Sequence, residues 1–217
     1  MLLIRGLILT LVVCSGISSC AQVYFGKPWN KKRQTIPGKI ECEFYDLGGE
    51  GIAYYDKDSI NNGSGKLNPK NGDFLNEFRM SEGVDISFTK PAPIDIHPFN
   101  QVAPVLDQLY VGWTEPGEWI NYSIDVRHSG NYTISLMYTA SGAGGVALLL
   151  DGNDLIGELV IPSTRSDHET VAWRQWHHWN IFRPTAYLKI EKGRHLLTLK
   201  TTAHGNMNYD YILFELK

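Results

Sequence analysis

Apolar and polar residues alternate along many short stretches of this 217-residue sequence, and that period of two limits the possible folds more than any other feature. Successive side chains of a strand point to opposite faces of a sheet, so the alternation is typical of strands with one buried face. No stretch keeps a helical period for long. The alternating apolar positions are Ile40, Cys42, Phe44, Ile120, Tyr122, Ile124, Val126, Tyr132, Ile134, Leu136, Tyr138, Leu197, Leu199, Ile212, Phe214 and Leu216.

Turn-forming residues separate these stretches at Ser129-Gly130-Asn131, Asp151-Gly152-Asn153 and Lys192-Gly193. Many short strands joined by such turns predict an all-β fold, a jelly-roll β-sandwich, with residues 37–217 as a single domain. Two segments interrupt the pattern: residues 56–77 are rich in Asn, Gly, Asp and Lys, and residues 90–108 contain four prolines. Long loops of this kind in a compact domain are usually functional or mobile.

The first twenty residues combine a basic residue, an apolar run and a cysteine that follows small residues. Arg5 precedes an uncharged apolar run, Leu7 to Val13, which is too short to span a bilayer. Ile17-Ser18-Ser19-Cys20 then resembles the lipobox of a bacterial lipoprotein signal, in which the cysteine is lipidated. We therefore expect a signal peptide over residues 1–19, lipidation of Cys20 and a polar tether over residues 20–36. An ordinary secretory signal that contains a cysteine is the alternative.

This N-terminus predicts a protein anchored to the bacterial outer membrane through lipid alone, facing either the periplasm or the outside. Of the three cysteines, Cys14 would leave with the signal and Cys20 would carry lipid, so Cys42 has no partner for a disulfide within the domain. The 20 basic and 23 acidic residues are mixed along the chain, which gives no indication of a nucleic-acid partner.

Six short blocks occur in a fixed order between about residue 38 and the C-terminus. They are Ile40 to Phe44, Val111 to Trp113 with Gly117 to Tyr122, Ser129 to Thr133, Leu150 to Gly152, Trp173 to Trp176, and Asn208 to Tyr211. Together these blocks resemble family 6 carbohydrate-binding modules, which are jelly-roll β-sandwiches that bind glycans.

The resemblance implies a sugar site at the loop rim. A sugar would be held between Trp113 and Trp173, and Asn208 would hydrogen-bond to it. Aromatic rings stack on the apolar face of a sugar, while polar groups recognise its hydroxyls. Tyr54 and Tyr55 are further candidates for the same rim. The alternative is that the tryptophans are core residues, which we expect of Trp119 and Trp176.

Three acidic residues are candidate ligands of a structural calcium ion. Glu41 and Glu43 are two apart on a predicted strand and would point to the same face. They would repel unless a hard cation lay between them, although an exposed pair of surface carboxylates is the alternative. The resemblance adds Asp210 and implies that all three bind calcium.

Two other clusters favour structural interpretations. Asp56-Lys57-Asp58 with Asn61 and Asn62 does not match the EF-hand pattern, because Ile60 occupies a ligand position, and it is predicted to be a solvated loop, with a second cation-binding loop as the alternative. His177-His178 lacks partner ligands at metal spacing and is predicted to lie in a strand.

The resemblance implies non-catalytic binding of a polysaccharide or oligosaccharide, close to glycan-degrading enzymes encoded elsewhere. Glycoside hydrolysis requires two facing carboxylates, and Glu115 with Glu118 is the one pair near the proposed rim. The block around Glu118 matches a structural acid of the family, so we expect no enzyme activity. The alternatives are a hydrolase or lyase, and a structural or protein-binding sandwich that has lost its sugar site.

Overall fold

The computed structural model describes residues 24–217. The predicted signal peptide, the predicted lipidation site Cys20 and the first residues of the tether lie outside the described residues. None of the helices within 24–217 is long and apolar enough to cross a membrane.

Strands, most of them in antiparallel pairs, are the main regular secondary structure of the described chain. One short helix, α1 (Phe74–Glu77), and three 3-10 turns, Trp29–Lys31, Cys42–Phe44 and Ala172–Arg174, interrupt them. The strands are β1 (Gln34–Ile36), β2 (Gly38–Glu41), β3 (Tyr54–Tyr55), β4 (Ser64–Gly65), β5 (Asn68–Pro69), β6 (Ile86–Phe88), β7 (Leu109–Thr114), β8 (Trp119–Val126), β9 (Gly130–Ala140), β10 (Gly144–Leu150), β11 (Asn153–Asp154), β12 (Leu159–Ile161), β13 (Asn180–Phe182), β14 (Leu188–Ile190), β15 (Gly193–Ala203) and β16 (Met207–Leu216).

Two sheets form the sandwich that the alternation predicts. The first has the order β1-β8-β15-β10-β11, with β3 also on β8 and β12 also on β10. The second has the order β13-β9-β16-β7-β6, with β14 also on β9 and β2 also on β16. Strands β4 and β5 form a small separate pair in the first long loop.

The alternating apolar residues form the core between the sheets. Tyr122 lies opposite Leu197 across β8 and β15, and Ile212 lies opposite Leu136 across β16 and β9. All four are buried. Because burying one such side chain contributes roughly 1.5–3 kcal/mol, these facing rows favour the sandwich over other arrangements. Leu216, at the end of the last strand, is 39% exposed.

The polar residues of β8 do not all face water. The carboxylate of Asp46 accepts hydrogen bonds from the backbone N–H of Ser123 at 2.9 Å and from its hydroxyl at 2.7 Å. The side-chain amide of Asn121 donates to the carbonyl of Ile52 at 2.9 Å. The segment between β2 and β3 therefore covers the outer face of this strand, and side-chain hydrogen bonds replace the expected solvent.

The turn predicted at Asp151-Gly152 is present. These two residues join β10 to β11, and Leu150 pairs with Asn153 across them. Asp151 has φ of 52° and Gly152 has φ of 79°, the left-handed conformations that a two-residue hairpin turn requires.

The predicted tether is wrong in its C-terminal part. Gln34 to Ile36 form β1, which pairs in parallel with β8, and Ile36 is completely buried. Trp29 stacks on Phe44 with an interplanar angle of 8° and a centroid distance of 6.4 Å. The sandwich therefore begins before Pro37. Three residues are too few to show a period of two, so the sequence pattern missed this strand.

The strand predicted through Phe44 ends at Glu41, and Cys42–Phe44 is a 3-10 turn. Ile40 and Cys42 are both completely buried as expected, but Glu43 is also buried, at 3% exposure. Glu41 and Glu43 therefore do not lie side by side on one strand, and Glu43 is carried into the interior by the turn.

The pairing of β1 with β8 predicts that Ile36 contributes to global stability. Ile36→Ala should lower the free energy of unfolding by about 2–5 kcal/mol, because it leaves a cavity in the core. Urea denaturation measures this change, and Thr35→Ala, at a partly exposed position of the same strand, is the control. Equal unfolding midpoints for Ile36→Ala and the wild type would show that residues 34–36 are a tether after all.

Candidate functional site

The structure brings Trp113, Trp173 and Asn208 to one cleft, although they are far apart in sequence. The cleft has a volume of about 470 Å³, which lies within the usual size range of small-molecule sites. Its lining is mostly apolar, with a few polar groups. The other lining residues are Leu67, Ser87, Lys90, Ile94, Asp95, Tyr110, Trp176 and His177.

Trp113 is aimed by an irregularity in the sheet. The pairing of β16 with β7 shifts register between Met207 and Tyr209, and Trp113 has a left-handed φ of 49°. Such a conformation is unfavourable for a bulky residue, and bulges of this kind redirect side chains next to functional sites. The backbone N–H of Trp113 donates to Asn208 Oδ1 at 3.2 Å, which holds the bulge in place.

Trp173 stands on the 3-10 turn Ala172–Arg174 and is 54% exposed. The next residue, Arg174, fixes this turn through two hydrogen bonds to Glu169, from Nε to Oε2 at 2.7 Å and from its terminal nitrogen to Oε1 at 2.9 Å. Arg174 also donates to the carbonyl oxygen of Pro93. These hydrogen bonds fix the turn, and the turn holds the exposed indole of Trp173 in place.

The floor of the cleft is a chain of buried polar side chains. Asn208 Nδ2 donates to Thr139 Oγ1 at 2.9 Å and lies 3.1 Å from His177 Nδ1. His177 Nε2 lies 2.6 Å from Asp95 Oδ1. A neutral His177 with its proton on Nε2 satisfies both contacts, since it donates to Asp95 and accepts from Asn208. Asn208 is only 2% exposed and is bonded mainly to the protein.

Asp95 holds a negative charge inside this floor. Burial raises the pKa of Asp95, but the hydrogen bond and electrostatic attraction of His177, with hydrogen bonds from the backbone N–H of Lys90 and the indole N–H of Trp179, outweigh burial, so its pKa lies below the ordinary value. Both carboxylate oxygens of Asp95 accept hydrogen bonds. Oδ1 also accepts from Trp179 Nε1 at 2.9 Å, and Oδ2 accepts from the backbone N–H of Lys90 at 2.8 Å. Burial lowers the pKa of the Lys90 ammonium, which also lines the cleft.

Tyr54 and Tyr55 do not line the cleft, so their assignment to its rim is corrected. Tyr54 is 5% exposed, packs edge-on against Tyr45 at 5.6 Å, and accepts a hydrogen bond from the backbone of Gly83 at 3.2 Å. Tyr55 is exposed but lines a separate cavity with Trp119. Both belong to β3, which pairs with β8 in the opposite sheet from Trp113.

Several residues that line the cleft were not predicted from the sequence. Trp176 was expected in the core and His177 in a strand, yet both precede β13 in irregular backbone and line the cleft. Asp95 lies in the proline-containing loop, where no pattern marked it. The dense run of aromatic residues from Trp173 to Trp179 was the one signal in the sequence.

The two long loops reach this end of the sandwich. Leu67 of the first loop lines the cleft, and so do Ile94 and Asp95 of the second. A Cβ added to Gly63 would lie 3.2 Å from the indole of Trp113 and 1.9 Å from the carbonyl oxygen of Ile86. Only glycine fits there, so the first loop lies directly against the Trp113 ring and the sheet.

The region predicted as a solvated loop also has a structural role. Asn61 Oδ1 accepts from the backbone N–H groups of Gly63, Ser64 and Ile86 at 2.8–3.1 Å. Asn61 is 1% exposed, whereas Asp58 and Asn62 are exposed and hydrogen-bond to each other at 3.2 Å.

Glu115 and Glu118, the carboxylate pair considered for hydrolysis, lie outside the cleft lining. Glu118 accepts hydrogen bonds from the backbone of Glu115 at 2.7 Å and of Lys57 at 3.2 Å. Glu115 forms an exposed ion pair with Lys57 at 3.2 Å. Within residues 24–217, Asp95 is the one carboxylate that lines the cleft, whereas glycoside hydrolysis uses two.

Glu41, Glu43 and Asp210 lie at a different place, on β2, the following 3-10 turn and β16, and their carboxylate oxygens do not all lie within 4.8 Å of one another. Glu41 pairs with Tyr211, the neighbour of Asp210. Gln108 Nε2 donates to Asp210 Oδ1 at 2.5 Å and to Glu41 Oε2 at 3.2 Å. In the described part of the chain, Glu43 Oε2 and Asp210 Oδ2 are buried without a hydrogen-bond partner.

The electrostatics of these three acids fit a cation. Burial and the nearby Glu41 raise the pKa of Asp210 to about 7. Burial likewise raises the pKa of Glu43 well above its usual range, and that of Glu41 to a lesser degree. A hard cation with oxygen ligands would satisfy the two orphaned oxygens and remove the mutual repulsion.

The sequence profile of the family described as carbohydrate binding module (family 6) matches residues 86–215, more than half of the chain. A search of curated proteins found no match. A family 6 module whose binding sub-sites were dissected by crystallography and calorimetry aligns with a TM-score of 0.51 at 15% identity, over 85% of this chain and 98% of its own. CsCBM6-3 from Clostridium stercorarium, solved in complex with cellobiose, aligns with a TM-score of 0.51 at 14% identity, over 86% and 98% of the two chains.

At these identities the solved structures share the fold with this chain, and the profile match carries the family assignment. The matched residues include Trp113, Trp173, Asn208 and most of the cleft floor. The chain belongs to family 6 of the carbohydrate-binding modules.

Proposed function

We propose that this chain is a non-catalytic module that binds polysaccharide in the cleft lined by Trp113 and Trp173. The observation that carries the proposal is the pairing of a half-exposed indole, Trp173, with a second indole in one cleft of about 470 Å³. A sugar ring has an apolar face that stacks on an aromatic ring and excludes water.

The polar groups of the cleft suit the hydroxyl edge of a sugar. The Lys90 ammonium lies 3.3 Å from Ser87 Oγ and 3.3 Å from the carbonyl oxygen of Phe88, and keeps further donor capacity. Asn208 Oδ1 accepts from Trp113 and retains a second lone pair. A few fixed polar groups in a mostly apolar lining give orientation and specificity to a ligand.

The cleft is preorganised, which favours binding. Arg174 braces the turn that carries Trp173, and Asp95 and His177 fix Asn208. Ordering loops and side chains on binding lowers affinity, and here the protein has already ordered them. Because each sugar hydroxyl exchanges water hydrogen bonds for protein ones, we expect modest affinity at one site.

The cellular setting is also a proposal. The N-terminal signal supports lipid attachment at Cys20 and retention at the bacterial outer membrane. A module held there would capture polysaccharide and keep it close to separate glycan-degrading enzymes.

We further propose that Glu41, Glu43 and Asp210 bind a structural calcium ion. Their buried, unpartnered oxygens and raised pKa values support a cation ligand set. Gln108 contacts two of the three and would orient them as an outer-shell residue. The acids do not line the cleft, so the ion would stabilise the fold without contacting sugar.

Trp173→Ala should weaken polysaccharide binding roughly ten- to a hundredfold, because loss of a stacked aromatic surface removes about 1.5–3 kcal/mol and each tenfold step is about 1.4 kcal/mol. Calorimetric titration against plant and algal polysaccharides measures the change. The melting temperature should stay the same, because the ring is 54% exposed.

Tyr187→Ala, at a 65% exposed aromatic that does not line the cleft, is the matched control and should bind like the wild type. If Trp173→Ala binds as tightly as Tyr187→Ala, the assignment of the site is wrong. Release of new reducing or unsaturated ends from the same polysaccharides would favour an enzyme.

Calcium should raise the melting temperature by an amount that grows with pH. Without the ion, the native state holds the pKa of Asp210 at about 7, above the 3.8 of the free side chain. A raised acid pKa means that the native state binds more protons than the unfolded chain, so metal-free stability falls as pH rises from about 4 to 7. Bound calcium favours the ionised form and reverses this loss. Melting curves with calcium and with chelator should therefore nearly coincide at low pH and diverge above neutral pH.

Asp210→Asn should make the metal-free protein more stable than the metal-free wild type above neutral pH, because it removes the uncompensated buried charge. It should also abolish the calcium shift. Glu191→Gln, at an exposed acid, should retain the wild-type response. Identical curves with calcium and chelator across the pH range would contradict the ion site.

A further inference from the structure

A second set of metal-ligand side chains lies outside the cleft lining and apart from the three acids. Among the residues that the structure describes, one group of three has a candidate ligand atom on each member within 4.8 Å of the others, namely His97, Glu169 and His178. His178 is 2% exposed and Glu169 is 3% exposed, and His97 is partly buried. His97 comes from the second long loop, and the other two flank the turn that carries Trp173.

Backbone carbonyls fix which nitrogen of each imidazole carries the proton. His97 Nε2 lies 3.0 Å from the carbonyl oxygen of His177, and His178 Nδ1 lies 2.8 Å from that of Thr164. A carbonyl oxygen only accepts, so both of these ring nitrogens must donate. The neutral rings therefore present lone pairs on His97 Nδ1 and His178 Nε2. Hydrogen bonds to backbone carbonyls commonly fix the tautomer and the ring orientation of metal-binding histidines in this way.

The two lone-pair nitrogens have nothing to bind in the described chain. His97 Nδ1 and His178 Nε2 are both buried atoms without a hydrogen-bond partner in residues 24–217. The two rings meet edge to face with centroids 4.8 Å apart. Leaving two buried acceptors unpaired is unfavourable, and a shared ligand would remove that penalty.

Glu169 supplies an oxygen. Its Oε1 accepts from the backbone N–H of Val171 at 2.9 Å and from Arg174 at 2.9 Å, whereas Oε2 accepts only from Arg174 Nε, at 2.7 Å. One lone pair of Oε2 therefore remains for a metal ion. The positive charge of Arg174 partly neutralises the Glu169 carboxylate and so limits its affinity for a cation. The hydrogen bonds from Arg174 also hold the carboxylate oxygens in place.

A cavity of about 300 Å³ opens beside His178, lined also by Phe99, Thr164, Ser166 and Asn180. It shares no lining residue with the Trp113 and Trp173 cleft. Of the three side chains only His178 lines this cavity, and a water molecule would be the fourth ligand of an ion that they hold.

We propose that His97, His178 and Glu169 bind a divalent transition metal ion, with zinc as the best fit. Two imidazole nitrogens and one carboxylate oxygen suit zinc, whereas calcium takes oxygen ligands. The ion would join the second long loop to the segment that carries Trp173 and His177. The sequence expectation that His177-His178 lacks partner ligands did not include this group, because His97 lies about eighty residues away in sequence and Glu169 is not at a metal-ligand spacing.

Zinc titration of chelator-treated protein, in excess calcium so that the acidic site is occupied, tests the proposal. Isothermal calorimetry should give one strong site, and zinc should raise the melting temperature. His97→Ala and His178→Ala should each weaken zinc binding by more than the 10–100-fold that loss of an outer-shell partner typically causes. His97 is only partly buried, so His97→Ala should fold, as judged by its melting temperature without metal.

His128→Ala removes an exposed histidine outside the group and should bind zinc like the wild type. Cobalt(II) in place of zinc should give the visible absorption of a four-coordinate site, absent in His97→Ala. Strong zinc binding that survives both His97→Ala and His178→Ala, or the lack of any zinc-dependent shift in the wild type, would overturn the proposal.

Discussion

The buried carboxylate of Asp95 connects the segments from which the cleft is built. It accepts hydrogen bonds from His177 and Trp179 on one side and from the backbone of Lys90 on the other. Through His177 the connection continues to Asn208, which holds the left-handed backbone of Trp113. A buried charge is tolerated only when it is paired and hydrogen-bonded. The Asp95 carboxylate therefore needs all of these hydrogen-bond donors, and by binding them it holds their segments together.

The sandwich could be predicted from sequence because its signal is local. The alternation at Ile120, Tyr122, Ile124 and Val126 follows directly from the geometry of a strand with one buried face. β1 could not be predicted in this way, because three residues carry no measurable period. Its strand character comes from its parallel pairing with β8, which lies about ninety residues away in sequence.

The residues of the candidate site also differ in whether a local sequence signal marks them. Trp113, Trp173 and Asn208 could be named because they stand in recognisable sequence blocks, and the fold brings them together. Asp95 and His177 could not be identified in this way, because their role depends on a contact of 2.6 Å between two residues that are 82 positions apart in sequence. Tyr54 was misplaced because a tyrosine beside a loop can equally face the core, and only the sheet order separates the two outcomes.

Two donor sets in one small domain differ in chemistry. Glu41, Glu43 and Asp210 offer only oxygen, and their repulsion is the reason to expect a hard cation. His97 and His178 offer nitrogen lone pairs whose positions the backbone has fixed, which suits a transition metal. Both sets lie where chain segments distant in sequence meet, so an ion at either would act as a cross-link between segments.

The proposal that a sugar binds between Trp113 and Trp173 can be tested by a crystal structure of the protein soaked with oligosaccharides from a polysaccharide that it binds. We expect a sugar ring with its apolar face on the Trp173 indole and its hydroxyl edge toward Lys90 and Asn208. A sugar bound on a sheet face or at another loop, with this cleft empty, would show that the cleft is not the binding site.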